Sequence, residues 1–118
     1  MRLALYQPDI PQNTGTLLRT CACLGVAVDV IGPTGFDMSD RALKRAGLDY
    51  LGHVDLQRHV SWEAFLGVQR TRPASRLVLL SSHAETPLYD FAFHPGDTLL
   101  LGRESAGVPD AVRAAVEA

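Results

Sequence analysis

The chain has 118 residues, 47% of them apolar, which is the size of one globular domain with one core. Its formal net charge of −2 argues against strong sequence-independent nucleic-acid binding over the whole surface. No apolar run reaches the length a bilayer demands, the N-terminus lacks a signal-peptide layout, and Cys21 and Cys23 are too few and too close for a disulfide framework. A cytoplasmic protein with free, mostly buried thiols, no membrane association and no metal site is expected. Local basic clusters remain: Arg41, Lys44 and Arg45 form one, and Arg70, Arg72 and Arg76 another.

In chain order, Leu3 to Tyr6 reads as a first strand. A helix is expected near Asn13-Thr14-Gly15, where Asn13 or Thr14 would cap exposed amides, with Leu17, Cys21 and Leu24 as its apolar stripe. Val26 to Ile31 is the second strand, closed by Gly32-Pro33. Ser39 or Asp40 is expected to cap a short helix through Arg45-Ala46, ended by Gly47. A weak strand lies around Val54-Asp55-Leu56, and Ser61 then caps a helix carrying Trp62, Phe65 and Leu66 on one side. Arg76 to Ser81 and Thr98 to Leu101 are apolar strands, and Pro109 opens a last helix through Val116.

Apolar strands separated by helices indicate an α/β fold, a mostly parallel sheet with helices on both faces. Ligands of such sheets bind beyond the carboxyl ends of the strands. Three loops lie there: Gln7 to Gly15, Ser81 to Thr86 and Gly102 to Pro109. The last carries two glycines around Glu104, and it matches neither a P-loop nor the dinucleotide fingerprint. Gly102 stands at the end of a buried strand, where a branched side chain would fill the space a ligand needs. The first loop ends at a helix N-terminus suited to phosphate, with Arg19 just over one turn further in. On spacing alone, Arg19 reads as an ordinary solvated helix arginine. His53, His59, His83 and His94 have no metal-ligand spacing, and Trp62 and Phe65 read as core.

Three segments together resemble one family. Tyr6-Gln7-Pro8-Asp9-Ile10-Pro11-Gln12-Asn13-Thr14-Gly15, continued by Arg19-Thr20-Cys21-Ala22, is similar to the first motif of the SPOUT RNA methyltransferases. Lys44-Arg45-Ala46-Gly47-Leu48-Asp49-Tyr50 resembles a run typical of the branch acting on the tRNA wobble nucleotide. Leu101-Gly102-Arg103-Glu104-Ser105-Ala106-Gly107-Val108-Pro109 resembles the second SPOUT motif. The resemblance implies a 2′-O-methyltransferase using S-adenosylmethionine on the wobble cytidine or uridine, with the tRNA anticodon stem-loop and a second copy of the chain as partners. It further implies that Leu80, Gly102 and Gly107 hold the cofactor, largely through backbone, while Asn13, Arg19 and Glu104 line the reaction centre.

The family continues with another strand, a Ser/Asn-rich third motif and a final helix, which complete a trefoil knot. This sequence stops at Ala118. The expectation is therefore one SPOUT domain over 1–118, carboxyl-terminally incomplete, with its knot-forming segment missing. A non-catalytic RNA-binding or dimerisation fragment is the alternative. A Rossmann oxidoreductase is disfavoured by the absent glycine fingerprint.

Overall fold

The computed structural model describes residues 1–36, 39, 41, 54–73, 75–81, 90–103 and 106–116. Among these residues are five strands: β1 (Arg2–Tyr6), β2 (Ala27–Ile31), β3 (Leu56–His59), β4 (Leu77–Leu80) and β5 (Thr98–Leu101). Between and after them run α1 (Pro11–Leu24), α2 (Trp62–Gln69) and α3 (Asp110–Ala115). The expected helix from Ser39 or Asp40 through Ala46 falls largely outside the described residues, as does the expected Ser81 to Thr86 loop beyond Ser81.

All strand pairs are parallel, in the order β3-β2-β1-β5-β4. Side chains alternate across the sheet, and both faces are covered. On one face Leu5, Val28 and Val30 pack against Leu18 and Cys21 of α1. On the other, Ala4, Tyr6, Ile31, Leu77, Leu79 and Leu100 meet Phe65 of α2 and Val112 of α3. Trp62 and Leu66 pack against that second cluster, as the helical spacing predicts.

Local sequence explains most element ends. The Ser61 Oγ accepts the Ala64 N–H at 3.1 Å and so caps α2. Gly25 takes the left-handed conformation that ends α1, at φ 67°. The start of α1 departs from expectation. Neither Asn13 nor Thr14 is its cap; Ile10 holds that place without a side-chain hydrogen bond. Pro11 decides the matter, because its fixed φ suits the first helical position and it has no N–H to leave unsatisfied. The Thr14 hydroxyl instead donates back to the Ile10 carbonyl at 3.3 Å. The weak third strand also shifts, running from Leu56 to His59.

Beneath α2, centred on the middle of β2 and reaching the amino end of β1 through Arg2, lies a buried polar network. Asp29 is fully buried in β2. Arg72 grips its carboxylate with two hydrogen bonds of 2.9 Å, Arg2 Nε donates at 3.0 Å, and His59 Nε2 lies 2.8 Å away. Burial pushes the Asp29 carboxyl up, but the hydrogen bonds from Arg72, Arg2 and His59 outweigh it and hold the group below its ordinary value. Nearby, Arg76 donates twice to buried Asp97, at 2.9 and 2.8 Å. Those bonds bring the Asp97 carboxyl down to about 2 against the opposing effect of burial. Two members of the Arg70, Arg72, Arg76 cluster are thus bound to internal carboxylates, which removes them as phosphate ligands. Cys21 is buried, with its thiol pushed up by burial, whereas Cys23 is exposed, contrary to the expectation for it. Among the described residues, no helix is long and apolar enough to cross a membrane.

Candidate active site

β1 stands where the sheet's connections part: β2 and β3 extend to one side of it, β5 and β4 to the other. In an open parallel sheet such a switch point leaves a crevice beyond the strand ends. Leu5 of β1 and Leu80 of β4 both pair with Leu101 of β5, so three strand ends are level there. A cavity of about 650 Å³ opens at this place, within the range of small-molecule sites. Its apolar walls include Leu79, Leu80, Leu101 and Val108. Its polar lining includes Asn13, Thr16, Ser81, Arg103 and Arg113.

One rim is the loop from β1 to α1. Gln7 begins it at φ 41°, an uncommon value for a residue with a side chain. Its N–H is held by the Ile31 carbonyl at 2.8 Å, and the Pro8 carbonyl accepts from Gly35 N–H at 2.9 Å. The loop then delivers α1 with Asn13, Thr16 and Leu17 against the cavity.

The opposite rim is the segment after β5. Arg103 N–H donates to the Gly107 carbonyl at 2.9 Å, and Gly107 N–H returns to the Arg103 carbonyl at 2.7 Å. This small closed loop needs both glycines. A Cβ on Gly102 would lie 2.7 Å from the Gly107 carbonyl carbon, and Gly107 has φ 66°. Gly102 was expected to keep space for a ligand. It is the chain's own approach to Gly107 that forbids a side chain there.

Four of the six expected site residues meet at the cavity: Asn13, Leu80, Gly102 and Gly107. Arg19 is exposed on α1, one turn beyond Thr16, and does not line the cavity. Glu104 lies outside the described residues. Gln7, Ser81 and Arg103 stand in the expected loops but were not singled out as site residues, and Arg113 was not anticipated, since each becomes notable only through a partner distant in the chain. Arg103 donates to both the carbonyl and the side-chain oxygen of Gln7, 96 positions away. Arg113 reaches the Ser81 hydroxyl at 3.5 Å.

The model of the SpoU rRNA Methylase family matches residues 1–118. The chain belongs to that family. Among its relatives is a tRNA (cytidine(34)-2′-O)-methyltransferase of Beijerinckia indica, 60% identical over 98% of this chain and 72% of that protein. Another of the same name, from Ancylobacter novellus, is 47% identical over all of this chain and 74% of its own length. A solved structure described as giving insights into the 2-OH methylation of C/U34 on tRNA superposes with a TM-score of 0.87 at 47% identity, covering 98% of this chain and 74% of that one. The SpoU methyltransferase AviRb of Streptomyces viridochromogenes, in complex with AdoMet, gives 0.85 at 25% identity, covering 99% and 46%. The parallel sheet and its flanking helices are therefore the family fold.

Proposed function

We propose that this chain is the methyl-transfer domain of a tRNA 2′-O-methyltransferase that modifies the ribose of nucleotide 34, cytidine or uridine, in the anticodon loop. Residues 1–118 form a single SPOUT domain in this reading, and the enzyme works in the cytoplasm as a homodimer. The observation that carries the reading is the meeting of Asn13 with Leu80, Gly102 and Gly107 around one cavity at the switch point. Relatives that act on nucleotide 34 of tRNA, at up to 60% identity, support the substrate.

The cavity fits S-adenosylmethionine in size and character. Level strand ends at Leu80 and Leu101 and the glycine-built loop at Gly107 present backbone groups to a flat heterocycle, and the leucine walls suit its apolar faces. When bound, that cofactor supplies an electrophilic methyl group. The protein's own task is to hold the ribose hydroxyl in line and ease loss of its proton. Arginine stays protonated, so Arg19 is assigned to clamp an RNA phosphate and lower the cost of the ribose alkoxide. Its exposed place on α1, beyond the cavity, suits contact with RNA more than with cofactor. Asn13 orients the ribose from the cavity wall, and Glu104 keeps its assignment to the reaction centre.

The test is methyl transfer by the full-length protein to tRNA, with the modified position mapped. Modification at nucleotide 34, lost when that nucleotide is 2′-deoxy, is expected. Arg19→Lys should lower turnover about tenfold or more, because an ammonium lacks the bidentate fork. Near-parental turnover would remove the clamp. Absence of saturable S-adenosylmethionine heat in calorimetry would favour the non-catalytic RNA-binding alternative.

A further inference from the structure

The two rims of the cavity come from opposite ends of the chain, yet the side chain of Arg103 reaches from one to the other. Arg103 leaves the 103–107 loop and is half-buried against the cavity. Its Nε donates to the Gln7 carbonyl at 3.3 Å, and its terminal nitrogen donates to the Gln7 side-chain oxygen. Both acceptors of Gln7 are therefore taken by one guanidinium, whose planar fork fits that paired geometry better than an ammonium does. Gln7 is also the residue at φ 41°, a conformation that persists where the surroundings fix it. Ile31 and Gly35 also anchor the first loop, from the β2 side. Arg103 thus hydrogen-bonds this loop to the glycine loop across nearly the whole length of the chain.

We infer that Arg103 is a positioning residue, acting through Gln7 to hold the Asn13 and Arg19 side of the reaction centre at a fixed distance from the Gly102–Gly107 seat of the cofactor. The inference rests on the methyltransferase reading for its consequence, though the tie itself is a matter of geometry. The 103–107 closure fixes the arginine backbone, the guanidinium fixes Gln7, and Gln7 sets where the chain enters α1. A displacement of about 1 Å between reacting groups costs on the order of a hundredfold in rate. Loss of the tie should therefore depress turnover much more than cofactor binding. Gly102 and Gly107 gain a second consequence, since without their loop the arginine has no fixed base.

The experiment uses the full-length protein as Arg103→Ala, Arg103→Lys, Gln7→Ala and the double variant. Hydrogen exchange should rise about tenfold or more at the Gln7 and Thr14 amides of Arg103→Ala and stay unchanged at Leu5 and Val30 in the strands. Turnover on tRNA should fall about 10- to 100-fold with S-adenosylmethionine affinity held within about threefold. Arg103→Lys, which keeps the charge and one donor direction, should recover part of the loss. Gln7→Ala should add little on top of Arg103→Ala, as expected of two residues in one linkage. Unchanged exchange at Gln7 and Thr14 would overturn the tie whatever the activity. Fully additive losses would overturn it too, placing Arg103 directly on the RNA. If the parent leaves nucleotide 34 unmodified while the exchange pattern is as stated, the functional reading fails and the tie stands.

Discussion

The two ends of the sheet use the same side chain to opposite purposes. At the amino end, Arg2, Arg72 and Arg76 are bound to the buried carboxylates of Asp29 and Asp97, and polar groups such as Gln69, Ser75 and Thr98 complete one another's hydrogen bonds. At the carboxyl end, Arg103 and Arg113 border an open cavity and meet neutral oxygens of Gln7 and Ser81. The first arrangement is neutralised and closed. The second, among the described residues, keeps positive charge beside a space. Abundance of arginine therefore says little about where this protein meets an anionic substrate; the presence or absence of a matched carboxylate says much more.

The largest expected effect would break the closed end. Asp29→Ala leaves Arg2, Arg72 and His59 around a site with no anion, and breaking a buried pair in this way costs about 3–5 kcal/mol. Urea unfolding should record that loss, while cofactor affinity measured on the folded fraction changes little. A comparable loss of affinity would mean that the two ends are not separable. Gly102→Val attacks the open end. Its Cβ cannot sit 2.7 Å from the Gly107 backbone, so the loop must distort at about 1–3 kcal/mol. If that distortion falls on the cofactor seat, calorimetry should show affinity lowered by roughly 10- to 100-fold, with the strand amides still protected.

Gly107→Ala separates conformation from space. Nothing lies within 4 Å of the added Cβ, so the change should cost only the left-handed conformation, about 1–2 kcal/mol. Gly107→Asn should recover part of that by thermal unfolding, and equal melting of both variants would contradict the assignment to φ. The smallest effect is confined to acid. Asp97 is held at about 2 against an ordinary 3.8, so its stabilisation is present above pH 3.8 and is lost as pH falls toward 2. Asp97→Asn should flatten that limb of the stability profile. An unaltered acid limb would show that other carboxylates produce it.

The sequence made the open end more legible than the closed one. Strand β5 ends in a run of three leucines, Pro109 precedes a helix, and Ser61 caps another; each is a local signal that the fold obeys. Asn13, Leu80, Gly102 and Gly107 line one cavity, a convergence that motif order suggests and spacing alone does not. The Asp29 network was hidden because its members are 27, 30 and 43 positions apart, and an isolated aspartate within an apolar strand has no local mark of its partners. The start of α1 was misplaced for another reason. Two prolines and a run of capping residues compete there, and the geometry of Pro11 prevails over the hydrogen-bonding capacity of Asn13 and Thr14.

The strand order bears on the order of events during synthesis. β1 pairs with β2 on one edge, a partner completed by residue 31, but its other edge waits for Thr98 to Leu101. Until β5 is made, the described strands that can pair are therefore β1, β2 and β3, with the unpaired backbone of Leu3, Ala4 and Leu5 facing outward. An edge of that kind is a template for pairing with other chains, and closing it requires contacts of high sequence separation, which form slowly. Among the described strands, the seam between β1 and β5 in the middle of the sheet is thus the last to be sealed, and the interval before β5 emerges is when a nascent chain of this topology most needs shielding by a chaperone.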